Sequence, residues 1–375
     1  MKQPLVTVLM PNHNGGRFIG KAIESVLRQT MADFELLIIE DASTDNSKEE
    51  IAKFSDERIR VIEFAQNEHI CIGLNTGIAQ ARGKYIARLD SDDCWYPDKL
   101  KKQIGYMQKN PQCGASFTWV NVVDEEDRTL SAQESMFVDL FHSPNRSRAQ
   151  WLHDFYSRGC LVCHPSAVFP KEVALEVGGY RNSLVQLQDY DLWIRIVKKY
   201  PIYVLEEKLM DYRHALLGGN VSAKTTGNTI RSYFETADVL GTFFDGVSDE
   251  MFIEAFSDDF VRPGTRRHED LLCEKALLMI QPGFWGHAAR PAGMKMLANL
   301  LDNEETRLVL RNTYGVTQMN YYHLETLPIL EMEDPAFIAE SIPGRQMVKI
   351  LIKKLLRRYP RVYNAAAKCY GLIRR

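Results

Sequence analysis

The sequence predicts an α/β fold, a mainly parallel sheet flanked by helices, followed by a helical C-terminal region. Over the first 120 residues, short apolar and β-branched runs alternate with stretches of helical spacing, the pattern of successive βα units. Several of those runs stop abruptly at carboxylate or amide residues. Beyond about residue 228 the strand signal disappears and amphipathic helical periodicity remains.

Leu5 to Met10 reads as the first strand, closed by Pro11 and the loop Asn12-His13-Asn14-Gly15-Gly16. Phe18 to Leu27 comes next as a helix with Phe18, Ala22, Ile23, Val26 and Leu27 on one face. Phe34 to Ile39 is a second, buried strand ending at Glu40-Asp41. Ser43 to Ser47 offers N-cap candidates for a helix from Lys48 to Phe54, and Arg60 to Phe64 is a third strand. A helix over Gly73 to Ala81 and a strand over Tyr85 to Leu89 lead into Asp90-Ser91-Asp92-Asp93. Pro97 suits the first position of a helix over Asp98 to Lys109. The stretch from Trp151 to Ser222 is irregular by periodicity. The reading divides the chain into residues 1–225, a helical region 226–344 and a basic amphipathic tail 345–375.

A chain of 375 residues with 45% hydrophobic and 25% charged side chains is neither disordered nor a small disulfide scaffold. Its formal charge of -3 excludes the basic excess of a general nucleic-acid binder. That total is uneven. Residues 345–375 hold ten basic and no acidic side chains, leaving 36 basic against 49 acidic in the rest. Seven scattered cysteines, no signal-peptide pattern and no apolar run long enough to span a bilayer lead to an expected cytoplasmic location.

Open α/β sheets bind ligands beyond the carboxyl ends of their strands, where Glu40-Asp41 and Asp90-Ser91-Asp92-Asp93 are expected to open into one crevice if their strands are parallel neighbours. Either cluster alone reads more readily as a turn. Aspartates two apart can present oxygens to one hard cation, Mn²⁺ or Mg²⁺, which in turn binds a diphosphate. Asp189, distant in sequence, could act as a general base toward a hydroxyl. The combination suggests group transfer from a nucleoside diphosphate.

The runs Val6-Thr7-Val8-Leu9-Met10-Pro11-Asn12-His13-Asn14, Phe34 to Asp45, Asn75-Thr76-Gly77-Ile78-Ala79 with Ala81-Arg82-Gly83, and Leu89-Asp90-Ser91-Asp92-Asp93 with Pro97-Asp98-Lys99-Leu100 resemble the family 2 glycosyltransferases of the GT-A fold, in order and spacing over residues 4–222. The resemblance implies an inverting transfer from a nucleotide sugar, often UDP-linked, to an acceptor hydroxyl of a saccharide or lipid-linked saccharide. By position, Pro11 and the loop containing Asn14 would line the nucleoside pocket and Asp41 would hydrogen-bond the base. Asp90-Ser91-Asp92 matches the metal motif, with Asp90 toward the ribose and Asp92 ligating the cation; Asp93 is expected to cap the next helix. Gln188-Asp189-Tyr190-Asp191-Leu192-Trp193 matches the segment whose first aspartate is the catalytic base, here Asp189. His214 stands where some relatives complete the metal shell, or is an ordinary surface histidine.

Three departures from the family pattern stand out. Glu40 replaces an aspartate, Gln188 replaces a glutamate beside the base, and Leu74 replaces an arginine, a role that Arg82 or Arg88 would have to take.

Cys160-Leu161-Val162-Cys163-His164 satisfies a haem-attachment pattern, but that chemistry requires export. In the tail, Val348, Leu351, Ile352, Leu355 and Tyr359 keep helical spacing among lysines and arginines. This reads as a helix for an anionic membrane surface or as one packed on the acidic body. Two other readings stay open: a sugar-phosphate nucleotidyltransferase, and a catalytically silent glycan-binding or scaffold protein.

Overall fold

The structure, a computed structural model, describes residues 3–214, 225–284 and 286–326; the basic tail 345–375 lies outside the described residues. The chain begins with β1 (Val6–Asn12), α1 (Ile19–Leu27), β2 (Phe34–Glu40), α2 (Ser47–Ala52), β3 (Ile59–Glu63), α3 (His69–Gln80) and β4 (Tyr85–Arg88). It continues with β5 (Cys94–Trp95), α4 (Lys99–Lys109), β6 (Ala115–Val123), α5 (Phe137–Leu140), α6 (Arg148–Arg158), β7 (Val168–Pro170), α7 (Lys171–Glu176), α8 (Gln188–Val197) and β8 (Ile202–Arg213). Among the described residues the rest is helical: α9 (Thr226–Gly241), α10 (Asp249–Phe256), α11 (His268–Ile280), α12 (Arg290–Asp302), α13 (Glu304–Tyr314) and α14 (Gln318–Glu325).

The eight strands form one sheet in the order β3-β2-β1-β4-β7-β6-β8-β5. β1 is parallel to β2 on one side and to β4 on the other, with Val6 opposite both Phe34 and Tyr85. The strands ending in the two acidic clusters therefore flank β1 instead of pairing directly. β7 runs antiparallel to both its neighbours, and β5 antiparallel to β8.

Side-chain alternation explains the layering. Val6, Val8 and Met10 of β1 face a core shared with α1, whose Ile19, Ala22, Ile23 and Val26 recur at helical spacing. Leu9 faces the opposite core with Leu74 and Ile78 of α3. All seven residues of β2 are buried, as expected for a strand covered on both faces. β1 continues through Pro11 instead of stopping there. The Asn12 carbonyl accepts from Asp41 N on the β2 side and the Leu9 carbonyl from Leu89 N on the β4 side, so the proline faces the side where β4 has already ended.

The middle of the chain is more regular than its periodicity suggests. β6 and β8 pair in parallel across two register shifts. β6 buries Ser116 and Thr118 among its apolar residues, which breaks the strand pattern in the sequence. The C-terminal helices are where the periodicity puts them. α9, α10 and the turns after them contribute Val239, Leu240, Phe243, Phe244, Phe252 and Phe256 to the same core as Phe117 and Trp193. Tyr156 of α6 packs its ring 5.1 Å from Phe243 and 5.6 Å from Phe256. Farther on, Cys273, Leu297, Leu301 and Leu310 form a separate small cluster among α11, α12 and α13. No helix among the described residues is long and apolar enough to cross a membrane.

Candidate active site

The loops after β1, β2 and β4 meet at the carboxyl ends of their strands. Asn12 Nδ2 donates to Glu40 Oε2 at 2.6 Å, and Glu40 Oε1 accepts from Ser43 N at 2.6 Å. Both oxygens of this buried glutamate are thus committed to holding the first two loops together. Asn14 N donates to Ser43 Oγ and Asn14 Oδ1 accepts from Thr44 N, at 2.9 and 2.8 Å. Gly15 is required by crowding: a Cβ there would lie 2.3 Å from Asn12 Oδ1 and 2.6 Å from Ser91 Oγ. Pro11, Asn14 and Ser91 are therefore brought to one place. Asp41, also buried, accepts from Glu68 N at 2.7 Å, drawing in the loop before α3. Asn14 after β1, Ala42 after β2 and His69 at the start of α3 have φ between 52° and 65°.

Asp90-Ser91-Asp92-Asp93 forms a tight turn closed by Asp93 N donating to Asp90 O at 3.2 Å. Asp93 is not the cap expected of it, because α4 starts well beyond it with Asp98 at its N-cap. Its Oδ1 instead accepts from Arg213 N at 2.7 Å, and Arg213 Nε donates to Asp92 O at 2.8 Å. Arg213, buried, also pairs with Asp127 at 2.5 Å and lies 4.4 Å from the Phe18 ring centroid. This arginine staples the aspartate turn to the end of β8, immediately before His214. Sequence reasoning singles out His214 but assigns nothing to the arginine before it.

Arg88 is the other residue whose role only the structure gives. It is fully buried in the last position of β4, and Nη2 donates to Asp90 Oδ1 at 2.6 Å. Its Nε and Nη1 are buried without a partner among the described residues. Of the two arginines weighed for the missing cation, Arg82 belongs to the opposite end of β4, where it approaches Glu35 at 4.0 Å; Arg88 stands at the crevice. Leu74 is buried in the core and supplies no polar group.

The base segment comes from the other side. The turn His164 to Ser166 runs against β4, with Arg88 N donating to Ala167 O at 2.9 Å. His164 Nε2 lies 2.8 Å from the Tyr180 hydroxyl. Burial holds the imidazole pKa well below its usual value, so it is neutral. Asn75 of α3 accepts from Tyr180 N and donates to Tyr180 O, both at 2.8 Å, anchoring the approach to α8. Asp189 is the second residue of α8, half-buried, with Oδ1 accepting from Tyr190 N at 2.8 Å and Oδ2 4.0 Å from Cys160 Sγ. Burial pushes its pKa up to about 6, and Arg88 and Asp90 are close enough to act on it electrostatically. A carboxylate so poised is suited to take a proton near neutral pH.

The atoms these groups leave over test whether a divalent cation suits the site. Asp93 Oδ2 and His214 Nδ1 are buried with no partner among the described residues. Burial, reinforced by Asp90, holds Asp92 up to about 7 although Arg213 and Arg88 act against it. His214, edge-on to Phe137 at 5.0 Å, is kept toward its neutral form by burial. Carboxylate oxygens and a neutral imidazole fit Mn²⁺ or Mg²⁺. The described residues contain no group of three or more such ligands, so an ion here would draw its remaining ligands from substrate and water.

This architecture, a twisted α/β sheet whose carboxyl ends carry the acidic loops, is that of the GT-A glycosyltransferases. Residues 1–349 of S. aureus TarS in complex with UDP-GlcNAc superpose with a TM-score of 0.54 at 13% identity, covering 85% of this chain and 90% of that one. The mannosyltransferase PcManGT of Pyrobaculum calidifontis, in complex with GDP-Man and Mn²⁺, superposes with a TM-score of 0.50 at 15% identity, covering 87% and 86%. The model of Glycosyl transferase family 2 matches residues 7–169. An uncharacterized glycosyltransferase of Methanocaldococcus jannaschii is 32% identical over 218 residues, 57% of this chain and 72% of that protein. The Escherichia coli protein named UDP-Glc:alpha-D-GlcNAc-diphosphoundecaprenol beta-1,3-glucosyltransferase is 30% identical over 243 residues, 65% and 88%. The chain belongs to glycosyl transferase family 2 and is a glycosyltransferase.

Proposed function

We propose that the protein transfers a sugar, with inversion, from a UDP-sugar to an acceptor hydroxyl in the synthesis of a cell-surface polysaccharide or glycolipid. The observation that carries this reading is the meeting of Asp189 with the Arg88–Asp90 pair, a poised base against a buried cation at the carboxyl end of β4. UDP is favoured because the TarS neighbour binds UDP-GlcNAc and the E. coli relative is named for UDP-Glc. A lipid-linked saccharide acceptor is favoured by the diphosphoundecaprenol in that relative's name.

In this mechanism Asp41, Pro11 and Asn14 bind the nucleoside, and Asp90 with Ser91 orients the ribose and phosphates. Asp92 with His214 would hold a divalent cation, which would supply charge neutralisation for the diphosphate leaving group. Asp189 removes the acceptor proton as the new glycosidic bond forms on the face opposite the leaving group. Arg88 counters the charge of Asp90 and directs its remaining N–H groups toward the bound donor. The catalytic unit is residues 1–225 with 226–344 as its helical support. The tail 345–375 would hold it at the anionic inner face of the membrane, where a lipid-linked acceptor resides.

A thermal-shift series with UDP-, GDP- and dTDP-sugars, with and without Mn²⁺, tests the donor. Stabilisation by a UDP-sugar that depends on Mn²⁺ is expected. A response confined to GDP- or dTDP-sugars overturns the UDP assignment, and no response to any overturns the donor site.

A further inference from the structure

Glu235 lies near the middle of α9, beyond the strands and all the motifs of the donor site, and it is buried at 6% exposure. Its Oε1 accepts from Val185 N at 2.9 Å, and its Oε2 accepts from Gln186 N and Leu187 N at 2.8 and 2.9 Å. Three consecutive backbone N–H groups thus converge on one carboxylate, and they belong to the residues that lead directly into Gln188 and Asp189. Leu187 is the N-cap of α8 and has no side-chain oxygen to serve that end. A carboxylate set at the start of a helix satisfies donors that the helix cannot and complements its dipole. The turn after α9 reinforces the hold. Arg181 Nη2 donates to Thr242 Oγ1 at 2.8 Å, and the same guanidinium pairs with Asp191 at 3.2 Å.

We infer that Glu235 is a positioning residue for the catalytic base: by collecting the 185–187 amides it sets the start of α8, and with it the direction in which Asp189 meets the acceptor. This rests on the reading of Asp189 as the base. Glu235 touches neither the base nor the reacting atoms; its effect passes through backbone. Removing it leaves three N–H groups to find new partners, and the segment carrying Asp189 loses its fixed geometry. Catalysis by a positioned group is sensitive to shifts of about 1 Å, which cost on the order of 10²-fold in rate. Donor binding depends on loops after β1, β2 and β4 that Glu235 does not contact.

The test uses the full chain with Glu235→Gln and Glu235→Ala. Glutamine is nearly isosteric and keeps the fold, but its amide has one acceptor oxygen for three donors. Two quantities are measured: hydrogen exchange of the amides from 185 to 190, and kcat and KM for Mn²⁺-dependent UDP release from UDP-glucose and UDP-N-acetylglucosamine. The expected result is exchange about tenfold faster or more at 185–190, with β1 to β4 unchanged. Turnover should fall about 10²-fold for alanine and less for glutamine, with KM for the donor unaltered. Unchanged exchange overturns the inference, as does faster exchange with unaltered kcat. Asp189→Asn, measured alongside, separates the two claims: if UDP release survives it, the role of Asp189 fails, while the exchange result still decides whether Glu235 orders the segment.

Discussion

Glu35 and Asp92 lie at opposite ends of the same sheet, and their surroundings differ in kind. At the amino end, Glu35 accepts from Thr7 Oγ1 at 2.6 Å, from Arg82 N at 2.7 Å and from the Arg60 guanidinium at 3.1 and 3.2 Å. Every lone-pair direction of this buried carboxylate is answered. At the carboxyl end, Asp92 is held up to about 7 by burial and Asp90, the buried Asp93 Oδ2 has no partner among the described residues, and Asp189 sits at about 6. The sequence contains acids at both ends; what separates structural from chemical use is whether the protein compensates them. Acids left uncompensated mark a candidate site.

The sharpest way to break this contrast is Asp189→Asn. Transfer should fall by about 10²- to 10⁴-fold while the thermal shift caused by a UDP-sugar persists, because the change removes a base and leaves the donor loops intact. Wild-type turnover in this variant would remove Asp189 from its role. Next comes Asp92→Asn. It should abolish the Mn²⁺-dependent part of the donor-induced shift and lower turnover by about 10²-fold, yet leave the melting temperature of the apo protein equal or higher, since it relieves crowding of like charges in a buried turn. A lower apo melting temperature would mean that the turn is compensated after all. Glu35→Gln should behave in the opposite way. Urea unfolding should register a loss of about 2 kcal/mol from weakened charge-assisted hydrogen bonds, with kcat and KM within about twofold of wild type. The mildest perturbation is pH. As the proposed base Asp189 would have to be ionised, and burial raises its pKa to about 6. With Mn²⁺ saturating, so that Asp92 is kept ionised, turnover should therefore be flat above that value and fall about tenfold per unit below it, whereas a base with an ordinary carboxylate pKa would keep full rate down to about pH 5.

The amino-terminal half of this picture is legible in the sequence because strand and loop are adjacent there. A buried run such as Phe34 to Ile39 with Glu40-Asp41 behind it announces both a strand and the side chain at its end. The donor loops can be read from position alone. Asp189 is legible only through a family motif, because nothing local in Gln188-Asp189-Tyr190-Asp191 says that it faces Arg88 across the fold. Arg88 hides inside an apolar strand, where a buried guanidinium looks like an edge or surface residue. Arg213 and Glu235 are not legible at all. Each acts on backbone groups far away in sequence, Arg213 on the turn at Asp92 and Glu235 on the amides at 185–187. Such roles depend on tertiary register, which periodicity does not encode.

The core that α9 and α10 share with α6 and α8 bears on how this enzyme can be cut or recombined. A fragment ending where the last strand ends would bare the rings around Tyr156 and would also lose the acceptor of the 185–187 amides. That core does not end with α10: Leu271 and Met279 of α11 and Ala289 just before α12 belong to it too, and only the small cluster around Leu297 and Leu310 is separate from it. Chimeras of this scaffold should therefore carry α9, α10, α11 and the start of α12 together with the sheet.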